Sequence, residues 1–481
     1  MGLECDPEGE EEVGEDAADF GLLSPAWAGT QAAALTGDRA FLQALLDVEC
    51  AWVRVQSDHG YADPAVVGPV QAAAKAGLYD LAGIAARAQG GGNPLIPLLA
   101  DLRERVGESD PAVASIIHRG ATSQDVMDSA LMLMSVRVLE VIDADLRSAA
   151  RDLAVLARAH RDTLCVARTL TQHSLPATFG LKAAQWLHGL GEAGSRLAQV
   201  PGTLPVQWGG AAGTMAALTV LTNDTDDDGP LALVAALADA LGLVDPVAPW
   251  HSNRLPMTGL GQALADVLAA AGKIANDVLL LCRPEFGELS EPVAEGRGIS
   301  SAMPQKQNPV LSVLIRSAAL AAPGYQLQLQ AAAGAAIDER PDGSWHAEWQ
   351  ALRQLLRLAG GAAAKLAELC AGLVVHPQRM RANMDLTGPL LLSEKVTTVV
   401  APLLEGGVTG SGKTNVQALV DQALANGVAG PGLHALLRQA VPHAALSNEA
   451  LDRLLDPAGY VGQSSSLIER IIGQYTEWST P

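Results

Sequence analysis

Aromatic side chains are scarce in this chain: its 481 residues hold four Phe, five Tyr and eight Trp. Strand-favouring clusters of Val, Ile, Tyr and Thr are also sparse, so a mostly helical protein is expected. Cysteine is rare and scattered. Cys5, Cys50, Cys165, Cys282 and Cys370 form no C-x-x-C pair, which argues against a zinc site and a disulfide framework and predicts reduced thiols. Positive charge is short as well: 32 Lys and Arg stand against 53 Asp and Glu, a net charge of −21. A surface of that sign repels phosphates, so no nucleic-acid partner is expected. No signal peptide and no uninterrupted apolar run of transmembrane length is read from the sequence, so a cytoplasmic chain with no membrane partner is expected.

What the chain has in abundance is Ala, Leu and Gly. Nine of the acids lie in the first twenty residues, which contain no Lys or Arg. Such a run cannot bury enough apolar surface to order itself, so residues 1–19 read as a disordered tail. Residues 20–120 read as short helices broken by turns, with Asp38 placed to cap one of them. Residues 121–375 carry long apolar patterns at spacings of three and four, and neither Pro nor Gly occurs from Asp125 to Ala159. Patterns of this length with Ala and Leu on more than one face suit a central helical bundle and a homo-oligomer. Residues 376–481 return to shorter helices.

Four polar interruptions separate the long helices: HRGATSQD at 118–125, RTLTQHSLP at 168–176, QWGGAAGT at 207–214 and EGRGISSAMPQKQNP at 295–309. In the last, Asn308 and Pro309 read as the start of a helix, whose free N–H groups attract carboxylates. Lys306 precedes them, and Ser300 and Ser301 sit on a loop that Gly296 and Gly298 would make mobile. This suits a lid carrying a Ser acid/base, or an ordinary glycine-rich connector. His173 is a catalytic or a structural imidazole. Thr122, Ser123 and Gln124 offer an anion cradle, or Asp125 simply caps the helix that follows. Gln207 lies where Gly209 and Gly210 would let backbone approach a ligand. His346 and Glu348 point away from each other on a helix, and no H-E-x-x-H occurs, so metal ligation is poorly supported.

Together these loops resemble the fumarase/aspartase superfamily, whose signature G-S-S-x-M-P-x-K-x-N-P is matched by SSAMPQKQNP from Ser300 onward. HRGATSQDVMDSAL, TLTQHSLPATFGLKAAQWL, QWGGAAGT and ER–GSWHAEW look closest to its bacterial 3-carboxy-cis,cis-muconate cycloisomerase branch. The resemblance implies three all-helical domains, with the central one forming the core of a homotetramer whose active sites are shared between subunits. It implies Ser300 as catalytic acid/base, His173 as second acid/base or orienting group, and Lys306 and Asn308 polarising a substrate carboxylate. Thr122 and Ser123 would hold another carboxylate, with Gln207 and Arg340 as weaker candidates. The implied reaction is lactonisation of 3-carboxy-cis,cis-muconate in protocatechuate catabolism, with a small polycarboxylate substrate and neither metal nor organic cofactor. Arg119 and Arg254 are expected to gather near the loops with Lys306 and His173. Two positions depart from the pattern: Ile299 stands where the family usually has glycine, and Gln305 where the cycloisomerase branch has histidine.

Three other readings stand beside this one. A fumarate-releasing lyase such as adenylosuccinate lyase belongs to the same superfamily, but WHAEW at 345–349 favours the cycloisomerase. A silent structural member is disfavoured because Ser300, Lys306, Asn308 and His173 are all present. The third is a nucleotide-binding protein, since GVTGSGKT at 407–414 fits the phosphate-cradling pattern at every position. The resemblance places the preceding KVTTVVAPLL in a helix and makes the motif a helix–helix turn.

Overall fold

A computed structural model describes residues 19–107, 111–222, 229–299, 302–303, 305–404, 411–426 and 432–480. The all-α expectation holds. Long helices span Ser123–Ala159, Phe179–Leu197, Leu255–Leu281, Val310–Gly334 and Gly343–Gly372. Each follows from an apolar repeat near 3.6 residues in a stretch rich in strong helix formers. The earlier helix Asp38–Asp58 buries Leu42, Leu45, Leu46, Trp52 and Val53; its N-cap is Gly37, and Asp38 falls in the first turn instead.

The chain gathers into two compact units, each built from three segments. The first comprises Met1–Ala144, Ser195–Ala269 and Ser317–Ala364; the second comprises Asp145–Gly194, Ala270–Arg316 and Lys365–Pro481. The first unit's core draws on Trp52, Met127, Leu131, Val138, Trp208, Leu237, Leu264 and Leu355, all fully or nearly fully buried. The acidic run up to residue 18 lies outside the described residues.

The second unit adds a hairpin where the polar stretch 168–176 suggests a loop. Leu164–Thr169 and Gln172–Thr178 form an antiparallel hairpin in which Arg168 lies opposite His173 and Thr169 opposite Gln172. Only Leu170 and Thr171 connect the strands, both at positive φ, 48° and 71°. A two-residue turn of this hand normally takes Asn and Gly, so neither residue advertised it.

Around GVTGSGKT, Ser393–Val400 and Gly412–Asn426 are α-helices, with a 3-10 turn at Ala401–Leu404. Residues 405–410 lie outside the described ones. Val396 and Val400 pack with Val416, Val420 and Leu437 in one apolar cluster. A side chain at Gly412 would strike the Ala401 carbonyl. That glycine serves helix–helix contact, and among the described residues no strand leads into the motif as a phosphate loop requires.

Candidate active site

In the first unit, one carboxylate organises two of the four loops. Asp125 lies in the first turn of Ser123–Ala159 and is fully buried. Its Oδ2 accepts from the backbone N–H of Thr122 at 2.8 Å and of Gly210 at 2.9 Å. Its Oδ1 accepts from the N–H of Gly209 at 2.8 Å and from His251 Nε2 at 2.7 Å. At the T-x-x-D spacing the carboxylate reaches back to the N–H three residues earlier, the return half of a capping box, and the same carboxylate draws in the QWGG loop. Asp125 therefore does cap the helix, as one of the two sequence readings held, and it also ties the TSQ and QWGG segments into one body.

That body carries the expected binding residues. Thr122 is buried and Ser123 is half-buried. Arg340 reaches towards Ser123 Oγ and Gln124 Oε1, each at 3.5 Å. Gln207 is fully buried, its Oε1 accepting from the Trp250 N–H at 2.9 Å. Its Nε2 and the neighbouring His251 Nδ1 have no hydrogen-bond partner among the described residues. A buried amide without an acceptor is costly, which leaves Gln207 able to donate to a ligand.

Two expected cations are spent elsewhere. Arg254 is fully buried, donating to Asp128 at 2.7 and 3.0 Å and to Glu348 at 2.7, 3.0 and 3.1 Å. Burial opposes its charge, but the Asp128 and Glu348 carboxylates outweigh that and hold its pKa above the ordinary value. Trp345 Nε1 also donates to Asp128, at 3.0 Å, so WHAEW supplies this internal network. Arg119 is tied to Gln56 Oε1 at 2.9 Å and the Tyr61 carbonyl at 2.8 Å. The Arg254 guanidinium is locked into the scaffold, and Arg119 is tied to it through Nε and Nη2.

In the second unit, His173 stands on the hairpin just past the turn, half-buried. Its Nδ1 bonds Thr387 Oγ1 at 2.9 Å, and its Nε2 has no partner among the described residues. Burial is the main influence lowering its pKa below the ordinary 6.5; the nearby Arg168 charge lowers it further, and Glu288 acts the other way. Arg168 is itself held by Glu288, at 2.5 and 3.3 Å, and Asn383 Nδ2 donates to the same carboxylate at 2.8 Å. A neutral imidazole with one open nitrogen is suited to taking a proton.

Also in the second unit, Ser300 and Ser301 lie outside the described residues, but both flanks of their loop are defined. Ile299 and Gln307 form an antiparallel bridge. The Gly298 carbonyl accepts from the Asn308 N–H at 2.9 Å and from Asn308 Nδ2 at 3.2 Å. Gly298 has φ +69°, and a Cβ there would lie 2.5 Å from the Asn308 carbonyl oxygen. At the loop base this glycine brings two backbones together, where mobility was expected. Lys306 is exposed and has no side-chain partner among the described residues.

The helix start expected at Asn308 falls at Val310, and its N–H groups are already occupied. Leu311 and Ser312 donate to the buried Glu291 carboxylate at 3.0 and 2.7 Å. The helix terminus is thus neutralised from within, leaving Lys306 as the positive group there.

The long-helix core and these motif loops now stand beside known proteins. The family described as Lyase matches residues 94–324. Nitrosuccinate lyase of Streptomyces davaonensis is 44% identical, over 95% of this chain and 95% of that protein. The 3-carboxy-cis,cis-muconate cycloisomerase of Bradyrhizobium diazoefficiens is 39% identical over 94% of this chain and 97% of its own length. The chain belongs to the fumarase/aspartase lyase superfamily. The crystal structure of 3-carboxy-cis,cis-muconate lactonizing enzyme from Pseudomonas putida superposes with a TM-score of 0.84 at 35% identity, covering 95% of this chain and 99% of that one. Sequence reasoning passed over His251, Glu291, Glu288 and Thr387. None lies in a motif, and each acts on a residue at least 20 positions away.

Proposed function

We propose that this lyase eliminates a leaving group from a small substituted succinate, with nitrosuccinate the first substrate to test. The observation that carries the reading is the 44% identity to nitrosuccinate lyase along 95% of both chains. Gln305 supports it, since the cycloisomerase branch carries a titratable histidine there. Ser300 takes a proton from the carbon beside one carboxylate, and the electron pair moves into that carboxylate to give an aci form. As the pair returns to form the carbon–carbon double bond, the adjacent carbon–nitrogen bond breaks and nitrite departs, leaving a butenedioate. Lys306 stabilises the extra charge, a contribution of about 3 kcal/mol for one preorganised donor. Thr122, Ser123, Gln207 and Arg340 hold the other carboxylate, and Asn308 supports the loop that carries Lys306. His173 is the second acid/base, able to give a proton to an oxygen of the departing nitrite, or an orienting group. The site is completed by neighbouring subunits of a cytoplasmic homotetramer, each with three helical domains at 20–120, 121–375 and 376–481.

A second reading is lactonisation of 3-carboxy-cis,cis-muconate, favoured by the 39% identical cycloisomerase and the Pseudomonas putida structure. There a substrate carboxylate adds across a double bond and a proton goes to the carbon beside another carboxylate, through the same kind of intermediate. One experiment separates the two. Purified protein is given nitrosuccinate while nitrite and butenedioate are measured, and separately the muconate while its diene absorbance is followed. Nitrite and butenedioate in equal amounts are expected. Diene decay without nitrite transfers the conclusion to the second reading, and inactivity on both rejects both. Under the leading reading, Ser300→Ala lowers kcat about a thousandfold; an active Ser300→Ala enzyme removes Ser300 from the base role.

A further inference from the structure

We propose that Thr387 is a positioning residue for His173, fixing the imidazole by its Nδ1 so that Nε2 is the nitrogen that exchanges protons. The proposal rests on the reading of His173 as an acid/base group. His173 and Thr387 lie 214 residues apart, yet Nδ1 and Oγ1 are 2.9 Å apart. Thr387 follows the helix Pro377–Asp385 and precedes the 3-10 turn Gly388–Leu392. Its N–H bonds back to the Met384 carbonyl at 3.3 Å, and Met384 packs with Val166 of the hairpin in a small apolar cluster. The backbone holding the hydroxyl is therefore anchored to the hairpin that presents the ring.

The chemistry of the pair follows from its donor inventory. A hydroxyl both donates and accepts, so Oγ1 can bond Nδ1 whether or not that nitrogen carries hydrogen. Nδ1 stays satisfied through a protonation cycle, and the proton enters and leaves at Nε2. The charged groups facing the ring, Arg168 and Glu288, are paired with each other and do not bond it. Thr387 is the residue that sets which edge of the ring is presented.

The test is Thr387→Val, which keeps the shape and removes the hydroxyl, beside Thr387→Ser, which keeps the hydroxyl. Two readouts are taken on the full-length oligomer. The first is the pH dependence of His173 acylation by diethyl pyrocarbonate, mapped by mass spectrometry, which needs no turnover. Val removes the acceptor for the Nδ1–H of the imidazolium and disfavours the charged form, so the acylation midpoint moves to lower pH; Ser restores it. The second is steady-state kinetics on whichever substrate is turned over. Val lowers kcat about tenfold or more with KM within about twofold, and Ser recovers most of the rate. An unchanged acylation midpoint in the Val enzyme overturns the proposal whatever the substrate proves to be. A shifted midpoint with no turnover of either substrate by wild type leaves the positioning role standing and rejects the proposed reaction. If the Val chain does not assemble, Thr387→Ala is read by the same acylation midpoint, with the same outcomes deciding.

Discussion

At His173 three influences compete over the protonation of the ring. Burial and the Arg168 charge both disfavour the imidazolium, while Glu288 favours it but is largely compensated by its bond to Arg168. The ring therefore stays neutral below the pH at which an ordinary imidazole, near 6.5, takes its proton. Its contribution to folding stability is present above that value and declines as pH falls from 6.5 towards the lowered folded pKa, where the loss levels off. The corresponding kinetic expectation is an acid limb in kcat/KM that lies below pH 6.5 and disappears in His173→Gln. A limb above that value that persists in His173→Gln would assign it to another group. Asp125 and Arg254 illustrate the opposite use of charge. Both are buried and bonded by groups inside the fold, so they serve to hold loops and helices together.

The hairpin carrying His173 is strained where it turns. Leu170 and Thr171 adopt positive φ, and a β-branched residue at 71° is crowded by its own backbone. Thr171→Gly should relieve about 1 kcal/mol and raise the urea midpoint, with the register Arg168 to His173 unchanged. A lower midpoint would show that the Thr171 side chain contributes more by contact than it loses by conformation. This turn also marks the limit of what is legible in the primary structure. The long helices announce themselves through uninterrupted apolar repeats, and the stretch from Asp125 to Ala159 appears as Ser123–Ala159. The hairpin does not, because its turn lacks Asn-Gly and Pro176 interrupts its second strand. The motif loops are legible because their signature residues stand next to one another in the chain. Glu291, Glu288 and Thr387 are not, because a carboxylate or hydroxyl that supports a distant residue leaves no local pattern.

Across the whole molecule, the helix Val310–Gly334 has more apolar surface than one chain covers. Leu311, Ile315, Ala318, Ala322 and Leu329 are buried on one face. Val313, Leu320 and Leu327 are 49%, 72% and 66% exposed, and their spacing of seven places them along one stripe. By length and composition this is the one candidate for a membrane span among the described residues, yet it carries Arg316 and packs one face within its own chain. The homotetramer we propose would cover the stripe with copies of the same helix. In detergent-free buffer, light scattering should then give a mass about four times the 49.7 kDa chain. Leu320→Glu places a carboxylate in the stripe, where burial without a partner costs several kcal/mol in each subunit. Such a chain should run as a smaller species with helical content retained, and should lose activity if neighbouring subunits complete the site. Loss of the oligomer with activity intact would confine catalysis to the single chain. A Leu320→Glu protein that remains tetrameric would place the contact on another face.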